Sequence, residues 1–140
     1  MKNSDKVALE LTREQANAVM RATELLARLH IGQFKEVTWE FIKRIETDGK
    51  YDDEKRDLID RLLYKASDLI FDVENGGVAY DDTFNRCWAV YTTIRHALAW
   101  YDFPKGGMGV QFNEPIPYDV NEDMPKCKII SIHTPRVGET

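Results

Sequence analysis

Arg95 is the residue of this sequence best placed to do chemistry, because it stands inside an apolar pattern. In the run from Asp82 to Tyr101, Phe84, Cys87, Trp88, Tyr91, Ile94 and Leu98 recur at helical spacing and form one inward stripe. Arg95 falls at the edge of that stripe. A guanidinium there must meet a carboxylate, backbone oxygens or a bound anion, since an unpaired buried charge is costly. An acid from a neighbouring helix would make it structural. Left without one, it would be an anion site, for which the planar arginine fork is suited.

His96 and Trp100, four residues apart with Thr92 one turn earlier, face away from the core stripe. Something must cover that tryptophan: returning strands, a second copy of the chain, or a flat ligand stacked on the indole beside His96. The turn Lys105-Gly106-Gly107-Met108-Gly109 follows. Phosphate cradles use glycines so that backbone N–H groups converge on oxygens at a helix N-terminus. Here the glycines end a helix and lead into an extended run, the reverse order, which favours a helix stop and hairpin entry.

Other constellations do not assemble. His30, His96 and His133 are far apart and lack an i, i+4 metal partner, so no metal site is expected. Asp52-Asp53 and Asp81-Asp82 read as helix starts, with Asp82 the expected cap of the fourth helix. His133-Thr134 is a single His-Thr pair, no Ser or Cys sits in a nucleophile elbow, and no cofactor fingerprint is present. Cys87 and Cys127 are expected to be reduced, buried small hydrophobes. No catalytic residue is assigned.

The elements that would position these residues follow from periodicity. Val7, Leu9 and Leu11 alternate with polar neighbours and predict a half-buried strand, leading into the capping box Thr12-Arg13-Glu14-Gln15. A helix is predicted over Arg13 to His30, with Ala16, Val19, Met20, Thr23, Leu26 and Ala27 inward and Gly32 as its left-handed stop. A shorter helix follows over Lys35 to Ile45, then a turn at Asp48-Gly49. A third runs from Asp52-Asp53 to about Phe71, with a broad apolar face of Leu58, Ile59, Leu62, Leu63, Ala66, Leu69 and Ile70. Beyond Pro104, Val110 and Phe112 alternate as a strand, the prolines at 115, 117 and 125 mark an extended connector, and Lys128 to His133 is a last strand. The fold class expected is α+β: about four helices with a small antiparallel sheet made by the N-terminal strand and two C-terminal strands, in one domain over 1–140 with 1–5 and 135–140 frayed.

Bulk composition narrows the setting. The 140 residues are 43% hydrophobic and 31% charged with a net charge of −5, an ordinary globular composition. No apolar run suits a membrane span and the polar N-terminus has no apolar core of a signal, so a cytoplasmic protein is expected. Residues 1–50 carry 9 basic and 8 acidic side chains, whereas 51–140 carry 10 and 16. That balance argues against an extended nucleic-acid surface while leaving room for a local basic pocket.

LTREQANAVM…RLHIGQF near the start and TIRHALAW…PKGGMGVQFNEPIP near the end resemble a family of small bacteriophage and prophage accessory proteins, which share an LTxEQA…IGQF opening and an IRHxLAW…PxGGxxVxF closing pattern. The resemblance spans most of the chain, with less distinctive middle helices, and departs at Tyr101-Asp102-Phe103, where the pattern is more polar. It implies a phage setting, hence the cytoplasm of a host bacterium. Small acidic phage accessory proteins often counter host defence, and one class forms oligomers that sequester nucleotide-derived immune signals. By that analogy this chain is expected to be a non-enzymatic, homo-oligomeric protein that binds a small anionic or nucleotide-like ligand without a cofactor. Arg95, His96, Trp100, Gln33, Phe34, Lys105, Gly106 and Gly107 would contact it. The alternative is a protein–protein inhibitor or adaptor whose exposed aromatics are its interface. A nuclease or phosphodiesterase with an unfamiliar site is a third reading.

Overall fold

Local signals set most helix ends. In the computed structural model, which describes residues 5–72, 80–117 and 122–130, the first helix α1 spans Arg13–His30. Thr12 Oγ1 accepts the Gln15 N–H at 3.2 Å while the Gln15 side chain accepts the Thr12 N–H at 2.9 Å. This reciprocal box satisfies two of the donors a helix start leaves open. At the other end the Gly32 and Gln33 N–H groups return to the carbonyls of Leu29 and Arg28, with Gly32 at φ 79°. Helix α2 (Glu36–Glu40) is shorter than the expected Lys35–Ile45. The chain tightens at Phe41 into a 3-10 turn over Ile42–Arg44, closed by the Arg44 N–H on the Phe41 carbonyl. Helix α3 (Asp53–Phe71) is capped by Asp52, whose carboxylate accepts the Lys55 N–H at 2.9 Å. Helix α4 (Asp82–Asp102) is capped by Asp81, on the Phe84 N–H at 2.7 Å, and not by the expected Asp82.

The core lies between α1 and α4, which run antiparallel. Arg13 at the start of α1 clasps Asp102 at the end of α4 through two hydrogen bonds of 2.8 and 2.5 Å. At the other end His30 meets Asp81 at 2.7 Å. Ala27, Phe84, Tyr91 and Leu98 are buried, as is Thr92. Along α4, Phe84 stacks on Trp88 at 5.6 Å and Trp88 tilts against Tyr91 at 5.0 Å. Arg28 lies over the Trp88 ring. The helical stripes expected on α1 and α4 therefore do form the core, although Leu26 stays exposed.

Helix α3 docks differently. Its buried residues are Asp60 and Ser67, at 8% and 6% exposure. The Thr38 hydroxyl of α2 donates to Asp60 at 2.6 Å and the Ser67 hydroxyl donates to the Gly32 carbonyl at 3.0 Å. Leu58, Leu62, Leu69 and Ile70 are 52, 60, 76 and 64% exposed. The helix turns a polar seam inward and Leu58, Leu62 and Leu69 outward, with Ile59, Leu63 and Ala66 half-buried between them.

The chain is mainly helical with the four helices expected, but among the described residues the expected sheet of N- and C-terminal strands is not formed. Residues Val7 to Leu11 form no regular element and pair with no strand among the described residues, and Val7 and Leu9 both stay exposed. Val110–Phe112 is a 3-10 turn, because the Phe112 and Asn113 N–H groups return to the carbonyls of Gly109 and Val110 instead of to a neighbouring strand. Lys128 to Ile130 belongs to no ladder among the described residues, and the rest of that predicted strand, including His133, lies outside the described residues. The two ends do meet, since Lys6 donates to Asp123 at 3.0 Å. The sheet among the described residues is a hairpin of β1 (Glu46–Thr47) and β2 (Lys50–Tyr51) with Glu46 opposite Tyr51. Asp48 and Gly49, at φ 52° and 71°, make its two-residue turn.

Candidate functional site

Helix spacing brings two rows of side chains face to face. Arg13, Asn17 and Met20 stand one turn apart along α1, and Arg95, Leu98 and Asp102 along α4. Antiparallel packing sets these rows across a cleft of ≈ 220 Å³, whose far wall is Phe103, Gln111 and Phe112 after α4. Among the charged side chains lining it, Arg13 and Asp102 neutralise each other, and Arg95 leaves one net positive charge. The Asp102 hydrogen bond raises the Arg13 pKa above its ordinary value, so the clasp stays charged at the cleft edge.

Arg95 has no carboxylate within 4 Å among the described residues. Its Nη1 donates to the Tyr91 hydroxyl at 3.0 Å, and the guanidinium lies 4.8 Å from the centre of that ring. The π face and phenol oxygen hold the cation in place but supply no countercharge. Its Nε–H is buried and has no acceptor among the described residues. The acid that would have made Arg95 structural is therefore not supplied there. A planar cation with unused donors at the wall of a cleft is the arrangement that anions bind.

His96 and Trp100 are spent on structure. The Trp100 indole N–H donates to the Phe112 carbonyl at 3.1 Å, and its ring meets Phe112 edge-on at 5.5 Å. His96 Nδ1 lies 3.2 Å from the Gln111 carbonyl, and Nε2 lies 3.7 Å from exposed Glu114. Returning chain packs against this face of α4 as a 3-10 turn and not as strands, and leaves Trp100 41% exposed. The pair's contribution to the cleft is indirect: it holds the turn that carries Gln111 and Phe112.

The glycines serve the same corner. Gly106 sits at φ 78°, and a Cβ there would come within 3.1 Å of the Trp100 ring. A Cβ on Gly107 would lie 2.5 Å from the Phe112 ring. They allow the chain to press onto these aromatics, and Lys105 beside them is exposed. Gln33 and Phe34 lie beyond the C-terminal end of α1, while Arg95 faces its first half. Gln33 accepts from Arg28 at 2.9 Å and Phe34 packs edge-on against Phe71 at 6.0 Å. Of the eight residues expected to share a ligand, the structure sets Arg95 in the cleft, places His96, Trp100, Gly106 and Gly107 behind one of its walls, leaves Lys105 exposed outside its lining, and puts Gln33 and Phe34 at the far end of the helix pair.

Asn17, Gln111, Phe103 and Phe112 belong to the cleft but do not stand out in the sequence. Asn17 carried a usable signal: an amide beside Ala16 and Met20 on the inner side of an amphipathic helix needs a polar neighbour. The other three depend on how the chain turns after Pro104, which no local pattern encodes. Burial pushes the Cys87 thiol pKa up, which keeps it protonated and weak as a nucleophile. Among the described residues no cluster of His, Cys, Asp or Glu has the geometry to hold a metal, and no helix is long and apolar enough to cross a membrane. Compared with protein-family models, curated proteins and solved structures, the chain finds no match.

Proposed function

We propose that the chain is a non-enzymatic binding protein that takes the anionic group of a small, nucleotide-like ligand into the cleft around Arg95. The observation that carries this reading is the half-buried guanidinium with no carboxylate partner among the described residues and a buried, unused Nε–H. Asn17 and Gln111 offer amides that would orient such a group, and Phe103 and Phe112 offer ring surface for a flat ligand. A cleft of ≈ 220 Å³ suits a phosphate or carboxylate with part of a ring, with the remainder of a larger nucleotide outside. The phage setting and the sequestering of a host immune signal rest on the resemblance of the LTREQANAVM…HIGQF and TIRHALAW…PKGGMGVQF stretches.

The test is thermal unfolding with ADP-ribose, a cyclic dinucleotide and inorganic phosphate as probes. A ligand at a hundred times its Kd stabilises by about 2.7 kcal/mol, which for a chain of this size raises Tm by roughly 10 °C. Arg95→Ala is expected to abolish that rise, and Arg95→Lys to recover only part of it, because lysine lacks the fork. A flat response of the wild-type protein to all three probes would remove the support for an anion site. It would leave the adaptor reading, for which exposed Trp39 and Tyr101 are the available anchors.

A further inference from the structure

The polar-inward docking of α3 leaves a face that demands a partner. At 3.6 residues per turn, Leu58, Leu62 and Leu69 fall within about 40° of one another, and their centre lies roughly 170° round the helix from Asp60 and Ser67. Those two polar residues are buried and the three leucines are more than half exposed. Ile70, also exposed, widens the arc on one side. Isolated surface leucines are ordinary, but an aligned set along a helix of 19 residues marks an interaction surface.

Charge at the edge of the arc indicates what covers it. Arg61 and Asp68 stand seven residues apart on one flank, so both occupy the same heptad position beside the leucine seam. Arg61 has no carboxylate and Asp68 no cation within 4 Å among the described residues; Arg61 Nε reaches only the Asp57 carbonyl, at 3.3 Å. When two copies of the helix pack antiparallel with Leu58 opposite Leu69, Leu62 falls against the aliphatic stem of Lys65. The same register sets Arg61 beside Asp68 twice, once for each copy, and Ile59 beside Ala66. Sliding the helices by one heptad would place Arg61 against its own copy and Glu54 against Asp68. A parallel arrangement would drive Lys65 onto Lys65 in the seam. One register satisfies both the leucines and the charges, and it is the self-complementary one that a twofold axis requires.

We propose that the leucine arc of α3 is the docking surface for a second copy of this chain, with α3 packed antiparallel on α3 and Arg61 paired to Asp68 across the interface. This reading is independent of the cleft around Arg95, which lies between α1 and α4.

Sedimentation velocity of the full chain at micromolar concentration tests it, with circular dichroism to confirm that helices persist. The wild type is expected to be a dimer. Leu62→Lys, which sets a lysine against Lys65 twice in the seam, should raise the dissociation constant at least about 100-fold. Arg61→Glu and Asp68→Arg should each weaken the dimer by about 10-fold, and the two together should restore it to near the wild-type value. Should Leu62→Lys disturb α3 itself, the three charge variants decide the matter, because their sites are exposed. A monomeric wild type, including one that instead captures a different protein, overturns the proposal. So does a dimer indifferent to Leu62→Lys in folded protein. Weakening by both single charge reversals without rescue in the double overturns the antiparallel register.

Discussion

The α1–α4 pair and α3 begin from the same kind of sequence and end in opposite arrangements. Each of the three helices carries an apolar stripe at helical spacing. In α1 and α4 the stripes face each other, bury Ala27, Phe84, Tyr91 and Leu98, and are clasped at both ends by Arg13–Asp102 and His30–Asp81. In α3 the leucines at 58, 62 and 69 face outward, and its contacts with the rest of the chain include Thr38–Asp60, Ser67–Gly32 and the edge-on pair Phe34–Phe71. An amphipathic pattern therefore specifies that a face will be covered, and not by which chain. The polar residues opposite the stripe carry that second piece of information, because a buried aspartate needs a matched donor and Thr38 is that donor.

The largest expected effect breaks the comparison if it fails. Leu98→Ala should cost about 3 kcal/mol in urea unfolding, since it opens a cavity between α1 and α4. Leu62→Ala, the same chemical change on the outward stripe, should move stability by no more than about 0.5 kcal/mol when measured at concentrations low enough to keep the chain a single copy. Equal losses would mean that α3 buries its leucines against its own chain.

What was legible in the sequence follows the same division. The start and stop of α1 were readable because Thr12, Gln15 and Gly32 act within a turn of one another. The limits of α3 and α4 were readable to within a residue, with the cap at Asp81 in place of Asp82, since both aspartates can serve. Alternation at Val7–Leu11 and Val110–Phe112 states only that a segment is compatible with a strand, which is why the sheet is not legible there. Whether a partner strand arrives depends on non-local geometry, and here Trp100 and the glycine corner fold Val110–Phe112 into a turn instead. At the site, helical period located Arg95 correctly at the edge of the core stripe. It could not tell that no neighbouring helix supplies an acid, nor that Asn17 and Gln111 come to face the same cleft. Gln33 and Phe34 were grouped with Arg95 without a distance constraint, and the antiparallel packing of α1 on α4 separates them.

A smaller effect sharpens the polar side of the comparison. Thr38 is 2% exposed and its hydroxyl is the close donor to Asp60, with Lys35 Nζ at 3.9 Å from the other oxygen. Thr38→Val keeps the shape and removes the hydrogen bond, leaving a buried carboxylate oxygen short of a partner. The cost should be about 2 kcal/mol, read from urea unfolding. It should fall on the attachment of α3, so amide hydrogen exchange should quicken in α3 while α1 and α4 keep their protection. Uniform acceleration across all helices would show that α3 is not a separately attached element.

The smallest effect concerns the clasp at the other end of α1 and α4, and it depends on pH. Asp81 has its pKa lowered from the ordinary carboxylate value, first by the hydrogen bond from His30 and then by the Phe84 N–H that it caps. A carboxylate whose folded pKa lies below its unfolded one stabilises the fold fully above the unfolded value, about 3.9, and loses that contribution as pH falls through the lower folded value. Asp81→Asn keeps a helix cap, because asparagine also accepts from the backbone, and removes the titration. The wild type should therefore be the more stable protein at pH 7, by less than about 1 kcal/mol given how exposed the pair is. The two stability curves should converge as pH falls from about 4 toward 2. Parallel curves across that range would mean that His30 and Asp81 do not hold the helix ends together, and that the core between α1 and α4 needs only its apolar stripes.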